Sequence, residues 1–145
     1  LVEVGNGRLR YTGNQQKQEQ PMTLNIPPEK MAEYRAGARQ REAARQAALN
    51  ARFELAWELA QQAADILRSQ FQATKVVVFG SLLNRQLFHQ RSDIDLAVWD
   101  VAEANYLHAF ASLSDLTTNF SFDLVRIEEA STRLQQRVQQ DGIEL

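Results

Sequence analysis

The sequence predicts an α/β (α+β) fold: a small mixed β-sheet with helices packed mainly on one face, preceded by a long N-terminal helix. Three observations predict it. The apolar segments "TKVVVFG", "DIDLAVWD" and "FSFDLVRI" have strand length and β-branched or aromatic content, and turn or helix signals bound each of them. The stretches "VAEANYLHAFASLSDL" and "EEASTRLQQRVQQDGIEL", between and after them, change to helical spacing. Ahead of all three strands lies a proline-free run rich in Ala, Gln, Arg and Glu, the composition of a long helix.

Taken in order, the chain starts with "LVEVGNGRLRYTGNQQKQEQ", where Gly5-Asn6-Gly7 offers hairpin chemistry because Gly and Asn tolerate positive φ. A lone two-stranded hairpin is marginal in water, and the polar run 14–20 reads as a linker ahead of the first methionine, Met22. Residues 1–28 are therefore expected to be an extension, hairpin-like or disordered. A partner-binding strand pair is the alternative.

Pro27-Pro28 then stiffen the chain, and residues 29–70 form a helical arm, as one helix or as two with Gly37 the weak point. In its second half Phe53, Trp57, Ala60, Ala64, Leu67 and Phe71 recur at steps of four and three, an apolar stripe expected to pack on the domain. The first half offers Met31, Tyr34 and alanines beside Arg35, Arg39, Arg41, Arg45 and, further on, Arg52. That half reads as a solvated arm, or as a surface for a partner or for nucleotide phosphates. A second copy of the chain is one candidate partner for it.

Residues 71–145 hold the three strands and make up the main domain. Tyr106, Leu107, Phe110 and Leu113 are expected to form the buried stripe of the helix before the third strand. Ser131 is placed to cap the last helix, Leu134 and Val138 lie one turn apart on it, and Gly142 is placed to stop it.

Composition narrows the function. A chain of 145 residues with 44% apolar content has room for one domain with a core, and a net charge of −2 gives no general attraction to nucleic acid or acidic membranes. There is no cysteine, which rules out disulfides, thiolate metal sites and cysteine nucleophiles. No apolar run approaches the roughly 18 residues of a membrane span, and the first residues lack signal-peptide layout. The expectation is a cytoplasmic protein with neither a membrane nor a direct nucleic-acid partner.

The chemistry is concentrated in "VVVFGSLLNRQLFHQRSDIDLAVWD". Side chains alternate along a strand, so Asp93 and Asp95 share one face while Ile94, Leu96 and Val98 line the other. Two carboxylates so close repel unless a cation neutralises them, and hard oxygen ligands at that spacing suit Mg²⁺, which completes its shell with water and substrate phosphate oxygens. Gly80 lets backbone approach a ligand, and Ser81 offers a hydroxyl and free N–H groups to an anion. Asp123, on the third strand, reads either as a structural salt-bridge partner or as the third acid of a site for two metal ions, which would clamp the attacking and leaving oxygens of a phosphoryl displacement. His89 and His108 lack metal spacing, and Trp57 and Trp99 read as packing residues.

Gly-Ser, a hook, Asp-x-Asp and a later acid on a strand, followed by "FDLVRIEEA" and "LQQRVQQDGIEL", resemble the minimal nucleotidyltransferase (MNT) family within the DNA polymerase β superfamily. The likeness runs from about Lys75 to Leu145, with 61–71 fitting the helix before the core. It departs at "GSLLNR", where Asn84 stands at the usual arginine and Arg85 at the usual glycine. The resemblance implies Asp93, Asp95 and Asp123 as catalytic metal ligands for two Mg²⁺ ions, and Gly80 and Ser81 as triphosphate ligands. Arg85 either takes over the cationic role or points into solvent.

It further implies an antitoxin that transfers AMP from ATP to a tyrosine hydroxyl of a HEPN ribonuclease toxin, with ATP as co-substrate. Nothing after Asp123 is long enough for a second substrate lobe, which favours a protein acceptor. The rival readings are a small-molecule transferase of the aminoglycoside-modifying kind and a non-catalytic module that neutralises its toxin by contact.

Overall fold

Alternation along the strands decides the architecture. In the computed structural model, which describes residues 25–145, β1 (Lys75–Phe79), β2 (Ile94–Trp99), β3 (Phe122–Arg126) and β4 (Ile143–Glu144) form one sheet in the order β3-β2-β1-β4. β1 runs antiparallel to β2 and to β4, whereas β2 and β3 are parallel, joined through helix α2 (Tyr106–Ser114). A parallel pair needs such a crossover, since a tight turn cannot connect it. The sheet is thus mixed, as expected, with one strand beyond the three anticipated. The hairpin expected near Gly5-Asn6-Gly7 lies outside the described residues.

The chain divides into two units, Leu1–Ala36 and Gly37–Leu145. Helix α1 (Pro28–Phe71) is a single helix that includes Gly37, the residue at which the second unit begins. In the described part of the first unit Met31 N–H donates to the Pro27 carbonyl at 3.0 Å, and the glutamate in the opening turn, Glu29, complements the helix dipole.

Within the second unit, α1 buries Ala56, Leu59, Ala60, Ala63, Ala64 and Leu67. This face is broader than the expected stripe: Phe53, Trp57 and Phe71 sit half-buried at its margin, and alanines occupy its centre. The small side chains let the helix lie close to Val76, Val78, Ile94, Leu96 and Val98 of the sheet. Each large aliphatic side chain so buried stabilises the fold by about 1.5–3 kcal/mol.

Helix α2 covers the same core, with one correction to the expected stripe. Ala109 and Leu113 are its buried residues and Tyr106 is half-buried, spaced i, i+3, i+7, whereas Leu107 is 74% and Phe110 38% exposed. Leu107 and Phe110 each stand about 100° around the helix from Tyr106 and Ala109, outside the face that meets the sheet.

Helix α3 (Thr132–Asp141) lies against the opposite face, where Val138 and Leu134 join Val77 and Ala97. Ser131 caps it as expected, its Oγ accepting from Leu134 N–H at 3.2 Å. Gly142 ends it with an ordinary φ of −65°. Here glycine is needed for space, since a Cβ would stand 2.3 Å from Val77 Cγ1. The close approach lets Ile143 and Glu144 pair with β1 as β4.

Candidate active site

The face that carries α3 also carries the acids. β2 sends Ile94, Leu96 and Val98 into the α1 side of the sheet, which turns Asp95 to the other side, opposite Phe79 of β1 and opposite Asp123 of β3. Asp93 precedes β2 by one residue and is exposed, as is Asp123, while Asp95 is half-buried. Among the described residues no three His, Cys, Asp or Glu side chains stand as a ready-made metal-holding group. The strand register brings Asp95 and Asp123 to one face and one level of the sheet, with Asp93 two residues before Asp95, rather than into a closed cage.

Asp95 bears the electrostatic cost of this arrangement. Its carboxyl is pushed up from 3.8 to about 6, first by burial, then by the negative charges of Asp123 and Asp93. A half-buried carboxylate facing two like charges is the situation a cation relieves, and a donor set made only of carboxylate oxygens fits a hard ion such as Mg²⁺.

Gly80 lies directly against Asp95. It follows β1 with a φ of +76°, and a Cβ there would stand 2.1 Å from Asp95 Oδ2. Both the left-handed backbone and the contact demand glycine at this point. Ser81 follows in the short 3-10 turn Gly80–Leu83, which is anchored by the fully buried Leu82.

The hook between Leu83 and Asp93 is fixed by its own hydrogen bonds. Leu87 and Phe88 N–H donate to the Asn84 carbonyl at 3.0 and 3.1 Å, and the buried Ser92 accepts from His89 N–H at 2.9 Å. Phe88 pins the hook to the core, 5.2 Å from the Phe53 ring. His89 Nδ1 accepts from Arg91 N–H at 3.1 Å, a structural use of the ring.

Arg85 is directed to α1. Its guanidinium pairs with Glu54, reaches Asn50 Oδ1 at 3.4 Å and stacks 4.4 Å over the Phe53 ring. Asn84, the neighbour at the usual arginine position, instead lines a cavity of about 410 Å³ together with Gly80, Ser81, Leu87, Arg137 and Asp141. Arg85 is not among the residues that line it.

Arg137 and Asp141 were not singled out in the sequence. Their only signal there is position: Arg137 stands three residues after Leu134 and one before Val138, on the shoulder of α3's buried stripe. A second cavity, of about 520 Å³, lies beside α2, but Tyr106, Arg126 and Glu129 in its lining are used internally. Tyr106 Oη donates to the Leu124 carbonyl at 2.7 Å, and Arg126 holds the Val101 carbonyl at 2.8 Å and pairs with Glu129.

The register thus sets Asp95 beside Asp123, with Asp93 just before β2 and the glycine of a Gly-Ser turn against Asp95. The family described as Polymerase beta, Nucleotidyltransferase matches residues 61–145, more than half of the chain. The chain belongs to this polymerase β nucleotidyltransferase family. The family assignment makes nucleotidyl transfer the activity class of the domain.

Among solved structures 14 chains match. A crystal structure of a toxin-antitoxin with AMP-PNP is 26% identical at a TM-score of 0.51, the match covering 59% of this chain and 70% of that one. The MntA-HepT toxin-antitoxin is 23% identical at a TM-score of 0.47, covering 61% of this chain and 69% of that one. A tri-AMPylated Shewanella oneidensis HEPN toxin in complex with MNT antitoxin is 22% identical at 0.47, covering 61% and 70%. No curated protein matches the chain.

Proposed function

We propose that this nucleotidyltransferase is the antitoxin of a toxin-antitoxin pair, and that it transfers AMP from ATP to a hydroxyl, in our reading a tyrosine's, of a cognate HEPN ribonuclease toxin. The observation that carries the reading is the half-buried Asp95 carboxylate, in register with Asp123 and resting on the glycine of a Gly-Ser turn. Family membership and the likeness to the toxin-antitoxin with AMP-PNP support it.

In this reading Asp93, Asp95 and Asp123 hold two Mg²⁺ ions, which supply positive charge to the phosphate oxygens. Gly80 brings backbone N–H groups up to the triphosphate, and Ser81 adds its hydroxyl. Asp123, exposed at the sheet edge, takes the proton from the incoming hydroxyl. The acceptor oxygen bonds to the α-phosphorus, the bond from that phosphorus to the bridging oxygen breaks, and its electron pair leaves with pyrophosphate.

Residues 71–145 serve as the minimal catalytic domain, with 1–28 an extension and 29–70 a helical arm offered to the partner or to a second copy. An ATP-consuming reaction on a ribonuclease assigns the protein to the cytoplasm. No helix among the described residues is long and apolar enough to cross a membrane.

The test is incubation with labelled ATP, Mg²⁺ and the protein encoded by the neighbouring gene. Label is expected on that protein, on a tyrosine, with pyrophosphate released and the ribonuclease silenced. Silencing by tight binding without any transfer of label would replace this account with a non-catalytic antitoxin. Transfer to an aminoglycoside but not to the protein would replace the acceptor.

A further inference from the structure

The phosphate half of the site needs a cation, and the sequence offers two arginines near it. Arg85, four residues after Ser81 in the chain, is held against α1 by Glu54, Asn50 and the Phe53 ring. Arg137 reaches the turn from another element, lining the cavity with Gly80 and Ser81 from one shoulder of α3. It is exposed, and among the described residues it takes part in no ion pair.

The helix that carries Arg137 is fixed. Val138, the next residue, is buried against the sheet, and the close contact of Gly142 with Val77 sets the helix end. Arg137 is thus carried to the wall of the cavity that Gly80 and Ser81 also line by a rigid element. The groups around it are acidic: Asp141, one turn on along α3 and in the same cavity, and Asp95 against Gly80, with Asp93 and Asp123 acting on Asp95.

We propose that Arg137 is the phosphate-gripping cation of this site, binding the β- and γ-phosphates that leave as pyrophosphate. This rests on the nucleotidyltransferase reading above and assigns the triphosphate tail a direction: acids toward the α-phosphate, α3 toward the tail. The guanidinium donates to non-bridging phosphate oxygens and, as the α-phosphate bond breaks, offsets the charge gathering on the departing group. Because these contacts are made to the tail alone, Arg137 discriminates nucleoside triphosphate from monophosphate.

Calorimetric titration of the full chain, in Mg²⁺, with AMP-PNP and separately with AMP tests it. Arg137→Ala is expected to weaken AMP-PNP by about 10- to 100-fold and to leave AMP unchanged, with Arg137→Lys recovering part of the loss. Arg133→Ala, which removes the same charge one turn earlier on α3 outside the cavity, is expected to change AMP-PNP affinity less than about twofold. Equal AMP-PNP affinity of wild type and Arg137→Ala would overturn the assignment while leaving the nucleotidyltransferase reading intact. So would loss on removing Arg85 instead. Failure of the wild type to bind AMP-PNP at all would overturn both.

Discussion

The two faces of the sheet are built to opposite specifications from the same three strands. On the α1 side Val76, Val78, Ile94, Leu96 and Val98 are without solvent exposure and meet alanines and leucines of α1 and α2. On the α3 side the same strands present Val77 and Ala97 at one level, but Asp95 and Asp123 at the end nearest Gly80. One face supplies cohesion, whereas the end of the other carries an electrostatic liability. Asp95 is held there by register, because a shift of β2 by one residue would send it into the apolar core. The lesson is that stability and chemistry are separated across a distance of one side chain.

Substitutions on the two faces should therefore fail differently. The largest effect is expected from Leu96→Ala, which opens a cavity in the fully buried α1 face: about 2–5 kcal/mol of stability lost, read by denaturant unfolding. Equal damage from Asp93→Ala on the other face would break the comparison, since exposed Asp93 should cost under about 0.5 kcal/mol while abolishing label transfer. Gly80→Ala sharpens it from the junction. A side chain there is strained at φ +76° and strikes Asp95, so about 1–3 kcal/mol of stability should go together with activity.

A smaller effect comes from pH. Native Asp95 keeps its proton to about 6, whereas the unfolded chain releases it near 3.8. Between those values the native state binds more protons, so wild-type stability should fall as pH rises through that window and level off above it. Discounted for the partial exposure of the group, the fall should be roughly 1–2 kcal/mol in metal-free buffer. It should be absent in Asp95→Asn. A smaller change again is expected from Arg85→Ala: losing an exposed ion pair to Glu54 and a ring contact should cost about 0.5–1 kcal/mol.

The comparison also explains what the sequence made legible. Strict alternation in "DIDLAV" specifies both faces of β2 at once, so the core and the acids could be read together. β4 was not legible, because a two-residue strand has no period; it forms only where Gly142 lets the chain pass close to Val77. On α1 the stripe was found at its aromatic margin while its centre, Ala56, Ala60, Ala63 and Ala64, was partly missed, since alanine signals helix as readily as core. Leu107 and Phe110 were drawn toward the core by hydropathy, though Ala109 holds the place. Arg137 enters the cavity only through the packing of α3 on the sheet, a long-range relation that spacing does not encode. The same is true of Arg85 and its partners on α1.

The central claim is that Asp95 serves function at the expense of stability. Its most direct test is a single variant, Asp95→Asn, assayed at pH 7.5 for label transfer to the HEPN-type partner and for thermal unfolding without metal. Transfer lost by about a thousandfold or more, in a protein that melts at the same or a higher temperature, is the predicted result. A variant that retains transfer, or that melts markedly lower than wild type, would contradict it.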